Sequence, residues 1–157
     1  MCEGLVVYRI GRTTGTLSLI KGSPFAPPVG GFTSIGDVQS IAMDPLGQYF
    51  WITTTYCQSG CSVSTDTWKL NTTTGVPTYL ESGGAGCGLL TRADPFGEFL
   101  YAIGNTESNI DCGFPQTPGI WGFAVNPTNG ALKNVSGTPW TSPNSNAYYS
   151  VGLAITP

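Results

Sequence analysis

Asp44-Pro45-Leu46-Gly47 recurs 50 residues later as Asp94-Pro95-Phe96-Gly97. An aromatic, β-branched run follows each copy: Gln48-Tyr49-Phe50-Trp51-Ile52-Thr53, then Glu98-Phe99-Leu100-Tyr101-Ala102-Ile103. Working outward, Thr-Gly or Asn-Gly stands after a short apolar run at Thr14-Gly15, Thr74-Gly75 and Asn129-Gly130. Gly22-Ser23-Pro24-Phe25 returns as Gly137-Thr138-Pro139-Trp140. Strand-like repeats with periods of a few tens of residues mark propellers or solenoids, in which each unit buries its faces against its neighbours.

Composition agrees with short strands joined by turns. Only 10% of the 157 residues are charged, against about 25% in an ordinary soluble domain. Gly, Thr, Ser and Asn fill the difference, and 11% aromatic content argues against disorder. Net charge is −3, and the six basic residues, Arg9, Arg12, Lys21, Lys69, Arg92 and Lys133, are scattered. No basic cluster could neutralise a run of phosphates, so nucleic acid is not expected as a partner. No apolar stretch is long enough to span a membrane as a helix. Met1-Cys2-Glu3-Gly4 shows neither the basic nor the apolar region of a signal peptide.

The turns divide the chain into units of four strands, A to D. In the second unit A is 38–43, B 48–55, C 64–70 and D 77–81. In the third A is 88–93, B 98–104, C 119–125 and D 131–135. β-Branched and aromatic residues favour strands at these places, and the Gly turns join C to D. No window carries a helical apolar period. The first unit has only C, Leu5 to Ile10, and D, Thr16 to Ile20. Residues 149–157 read as one further strand A.

The expected fold is therefore all-β: a β-propeller segment of four-stranded antiparallel blades, with an incomplete ring. Its parts are a half blade with strands C and D over 1–30, full blades over 36–83 and 86–140, and strand A of the next blade over 147–157. A propeller closes with about four to eight blades. A longer parent protein, or rings made from several copies, are the two ways to supply the rest. The expected partners are thus the remaining blades of the same propeller or a self-associated copy.

The Asp-Pro-x-Gly turn, the aromatic strand after it, Thr14-Gly15, Thr74-Gly75 and Gly22-Ser23-Pro24-Phe25 resemble the lactonase-type, 6-phosphogluconolactonase-like seven-bladed propellers of bacteria. The resemblance covers nearly the whole chain. It rests on turn and packing positions, which license a fold and not a chemistry. It implies that enzymatic relatives carry a His in or near some A strands. This chain has no His, so no catalytic residue is carried over. The expected role is a binding or scaffold module of an exported bacterial protein. The alternative is a piece of a lactone hydrolase whose active site lies mostly in other blades.

In a propeller the D–A and B–C loops share one face. Asp37, Glu107 and Asp111 fall there, and Arg92 is a charge on an innermost strand. These four are the candidates for a small-molecule or carbohydrate ligand at the channel mouth; solvated loop carboxylates and an ion-paired arginine are the plain alternatives. Asp44 and Asp94 read as caps of their own turns. No cofactor is expected, and no metal, since neither His nor EF-hand spacing is present.

Five cysteines complete the inventory. Cys57 and Cys61 flank the tip of the B–C loop in the second unit, and a disulfide there outweighs a zinc site, which would want four ligands. Propeller geometry puts Cys87 and Cys112 on the same face of the third blade, where a bridge would pin the long 105–118 loop. Cys2 is left over: its partner would stand on a strand B that the first unit lacks. A lipid-anchor cysteine and a free reactive thiol are the other readings of Cys2, and inert reduced thiols the plain alternative for all five. Bridges would place the full-length protein in an oxidising, extracytoplasmic compartment.

Overall fold

The structure is a computed structural model. It describes residues 4–26, 37–57, 61–83, 88–104, 119–141 and 153–156. Ten strands and no helix occur among them: β1 (Tyr8–Ile10), β2 (Leu17–Leu19), β3 (Asp37–Met43), β4 (Tyr49–Cys57), β5 (Cys61–Leu70), β6 (Pro77–Gly83), β7 (Gly88–Ala93), β8 (Phe99–Gly104), β9 (Gly119–Val125) and β10 (Leu132–Asn134). They form two four-stranded antiparallel sheets, β3-β4-β5-β6 and β7-β8-β9-β10, and the two-stranded pair β1-β2. The expected strand order A to D is thus realised twice in full and once as C–D alone. Residues 153–156, expected as part of a further strand A, pair with nothing in a ladder. A strand needs a neighbour for its N–H and C=O groups, and no strand B of that unit is described to supply one.

The Asp-Pro turns form because the aspartate bonds its own backbone. Asp44 accepts from the Leu46 and Tyr49 amides at 3.1 and 2.6 Å. Asp94 accepts from Phe96 and Phe99 at 3.0 and 2.7 Å. Gly47 and Gly97 close the turns at φ of +67° and +74°, which only Gly adopts without strain. Both aspartates are buried. The C–D turns use Asn in the same way: Asn71 accepts from the Thr73 and Thr74 amides, and Asn126 from Thr128.

Alternation along β4 sorts its side chains to two buried faces. Tyr49 and Trp51 join Ala42, Leu100, Ala102, Trp121 and Phe123 in a core between the second and third units. Phe50 and Ile52 point the other way, with Trp68, toward Leu5 of the first unit. The inner strands meet at Ser40 and Thr91, whose hydroxyls lie 2.9 Å apart, and the Thr91 amide also donates to Ser40 Oγ at 3.1 Å. At the outer end, Tyr49 Oη donates to the Thr128 carbonyl at 2.6 Å and Trp51 Nε1 to the Gly130 carbonyl at 3.1 Å. Gly130 is glycine for two reasons: its φ is +73°, and a Cβ there would stand 2.6 Å from the Tyr49 ring. The first unit repeats this join, with Arg9 donating to the Thr73 carbonyl at 3.0 Å.

Gly-Ser-Pro-Phe and Gly-Thr-Pro-Trp have one structural job. Phe25 exchanges both backbone bonds with Leu5, and Trp140 does so with Ile120, extending each sheet at the start of strand C. Both X-Pro bonds in these segments are cis.

Candidate functional site

The structure places few of the expected site residues. Asp37 begins β3 with its backbone opposite Thr55; its side chain lies outside the described residues. Glu107, Asp111, Cys2, Cys87 and Cys112 also lie outside them. Cys57 stands directly opposite Cys61 in the β4–β5 register, so the backbone brings this pair together. Arg92 is described. It is exposed and donates to the carbonyl of its own neighbour Thr91 at 2.8 Å. Its side of β7 turns away from the second unit, so no blade surface among the described residues encloses it.

Asp66 on β5 did not stand out in the sequence. It lies opposite Ile52 and Ser82, on the same face as Trp68. Ser64 Oγ bonds both Asp66 (3.5 Å) and Ser82 Oγ (2.7 Å). Burial raises the Asp66 carboxyl above its ordinary pKa, and the Ser82 and Ser64 hydroxyls oppose part of that rise. The Tyr79 hydroxyl is raised as well, first by burial and then by the Asp66 charge. The signal for this cluster was present: a carboxylate two residues before a core Trp on one strand shares its face. The group has no nucleophile with an adjacent base, so it reads as a half-buried acid held by serine hydroxyls.

The described residues also form a cleft on the opposite face from the expected one, between the two Asp-Pro turns. It encloses about 510 Å³, within the range of ligand pockets. Leu46, Phe96, Phe99, Val125 and Pro127 make apolar walls. Asp44 already holds two backbone amides and Tyr49 Oη the Thr128 carbonyl, which leaves Gln48 and Glu98 as the polar groups open to a ligand. The signal was the residue x of each Asp-Pro-x-Gly, Leu46 or Phe96, which the turn geometry leaves 73% and 70% exposed. Such a cleft can bind a molecule, but it holds no pair of groups arranged for acid–base or nucleophilic work. Among the described residues no His, Cys, Asp and Glu cluster could hold a metal ion.

Solved structures decide the fold. A crystal structure of a protein from Bacteroides fragilis, provisionally named a 6-phosphogluconolactonase, superposes on 86% of the chain with a TM-score of 0.58 and 18% identity. A second so named, from Bacteroides uniformis, covers 89% with the same score and identity. A protein from Lactobacillus plantarum covers 83%, with a TM-score of 0.54 and 20% identity. The fold is that of a lactonase-like β-propeller. The chain spans 33%, 38% and 34% of these three proteins, about a third of each. No protein family profile matches the chain, and no curated protein matches it. In this propeller the buried hydroxyls of Ser40, Thr53, Thr65 and Thr91 are spent on strand-to-strand and blade-to-blade bonds.

Proposed function

We propose that the chain is a segment of an exported bacterial propeller that acts as a binding or scaffold module. One observation carries this reading. The buried hydroxyls of Ser40, Thr53, Thr65 and Thr91 and the carboxylates of Asp44 and Asp94 bond backbone or each other, and the cleft between the Asp-Pro turns offers apolar walls with one amide and one carboxylate. The Cys57–Cys61 register supports a disulfide, and with it an oxidising compartment. The remaining blades of the same propeller are its structural partners, and the ligand class is a small neutral or hydroxyl-rich molecule, carbohydrate included. A second reading, a segment of a lactone hydrolase, draws on the names of the two Bacteroides proteins.

Hydrolysis of 6-phosphogluconolactone by the full-length protein that carries this segment tests the two. The binding-module reading predicts a rate equal to spontaneous hydrolysis. Turnover above that rate overturns it in favour of the enzyme.

A further inference from the structure

The cleft between the two Asp-Pro turns is built from one turn used twice. Leu46 and Phe96 hold the same place in consecutive repeats, and so do Gln48 and Glu98. The backbone behind the polar pair is fixed in the same way in both: the Gln48 carbonyl accepts from the Leu70 amide at 2.7 Å, and the Glu98 carbonyl from the Val125 amide at 2.8 Å. Each turn thus contributes one apolar and one planar polar side chain. The turns abut where Pro45 meets Gly97, at which an added Cβ would stand 3.1 Å from the proline ring. Tyr49, also in the lining, is buried and tied to the Thr128 carbonyl of the next unit. The open groups of the cleft therefore stand on a frame held by both units.

Three features of the lining select a ligand. Phe96 is 70% exposed at a place where the other repeat carries Leu, so the turn itself does not require an aromatic ring. The face of such a ring is electron-rich and attracts polarised C–H groups. Gln48 and Glu98 are exposed; an amide both donates and accepts, and a carboxylate accepts from two hydroxyls at once. The third feature is charge. Asp44 and Glu98 are acidic, and no basic residue is among the described residues of the lining. Lys69 places its ammonium 5.8 Å from the centre of the Tyr49 ring, outside that lining. An anion in the cleft meets two carboxylates and no counter-charge.

A pyranose ring meets all three conditions. Its axial C–H groups make one face apolar, and its rim carries neighbouring hydroxyls that donate and accept. We propose that the cleft binds an uncharged pyranoside and rejects phosphorylated or otherwise anionic sugars. The ring stacks on Phe96, Glu98 accepts from adjacent hydroxyls, and Gln48 bonds the rim from the other turn. This rests on the reading of the chain as a binding module and narrows its ligand.

The test titrates the full-length protein that carries this segment with the methyl pyranosides of glucose, galactose and mannose, and with the 6-phosphates of the same sugars, followed by saturation-transfer NMR. At least one methyl pyranoside should bind saturably with a Kd of about 1–10 mM, because water competes in an open cleft with few polar groups. Its 6-phosphate should bind about tenfold or more weakly. Phe96→Leu should weaken the uncharged sugar about tenfold, and Phe96→Trp, which keeps an aromatic face, should not. Glu98→Gln should narrow the gap between sugar and phosphate. Leu and Gln are the residues that the other turn carries at these places, so the fold is kept, checked by an unchanged Tm. Saturable binding of none of the methyl pyranosides overturns the proposal, as does binding that Phe96→Leu leaves unchanged, or a 6-phosphate bound as tightly as the uncharged sugar. Lactone turnover above the spontaneous rate would overturn the binding-module reading and not the sugar site, so the two failures are distinct.

Discussion

Replacing Asp44 by Ala removes the acceptor that shapes the second unit's inner hairpin. Two amide bonds are lost, and they are not equal. The Leu46 amide belongs to an exposed tip, where water can take the carboxylate's place; that loss costs about 0.5–1 kcal/mol. The Tyr49 amide, bonded at 2.6 Å, sits beneath a side chain only 5% exposed and loses a charged acceptor that water cannot replace. That loss costs about 2–3 kcal/mol. The sum is about 3 kcal/mol, a large part of the roughly 5–15 kcal/mol that holds a domain together. For a chain of this size it corresponds to a Tm lower by about 6–12 °C. Asn keeps one side-chain oxygen and can serve the Tyr49 amide, so Asp44→Asn should lose about half as much. Urea unfolding followed by Trp fluorescence measures both. Asp94→Ala should lose somewhat less than Asp44→Ala: its bonds go to the corresponding amides, Phe96 and Phe99, at nearly the same lengths, but Phe99 is only partly buried. A loss below about 0.5 kcal/mol for Asp44→Ala, or an Asn variant as unstable as the Ala variant, would refute the argument that these carboxylates hold the turns.

Three further outcomes are expected. Gly130→Ala should lower Tm more than Asp44→Ala does, because the new methyl meets the Tyr49 ring at 2.6 Å in a backbone with φ of +73°; an equal or higher Tm would show that the blades do not meet there. The raised Asp66 pKa means that the folded protein holds this proton more tightly than the unfolded chain. Its contribution to stability is thus full below the ordinary carboxyl pKa and is lost as pH rises through the folded value. Asp66→Asn should therefore gain stability at neutral pH and none at low pH, and chemical denaturation at the two pH values checks this; no gain at neutral pH contradicts it. Intact mass under non-reducing conditions, with peptide mapping, should find Cys57 joined to Cys61 in exported material, and free thiols at both positions would remove the argument for an oxidising compartment.

Much of the fold was legible because the repeat sits at turns, where chemistry is local. Asp44, Asp94, Asn71 and Asn126 bond amides two to five residues away, so their roles can be read without knowing any neighbour. Strand extents followed from the same turns: β7 and β9 fall at the expected residues, and β4 and β5 run on to Cys57 and from Cys61. What was not legible depends on partners distant in the chain. The bulges between Val38 and Ser40, Thr67 and Trp68, and Gly88 and Leu90 shift a register without leaving a periodic mark. The surroundings of Arg92 depend on a neighbouring blade and cannot be read from β7 itself. The Asp66 cluster needed the β5–β6 register to bring Ser82 beside Ser64. The cleft needed the two Asp-Pro turns placed side by side, which no single turn reveals.

The central claim is that successive repeats stack as blades, the inner hairpin of one unit lying on the sheet of the next. The Trp51 indole tests it most directly, because its N–H bonds the Gly130 carbonyl of the following unit at 3.1 Å. Nuclear Overhauser spectroscopy of the 157-residue chain should show that indole proton close to the Gly130 α-protons, with slow exchange against solvent. An indole proton that exchanges freely and sees only its own unit would contradict the stacked-blade account.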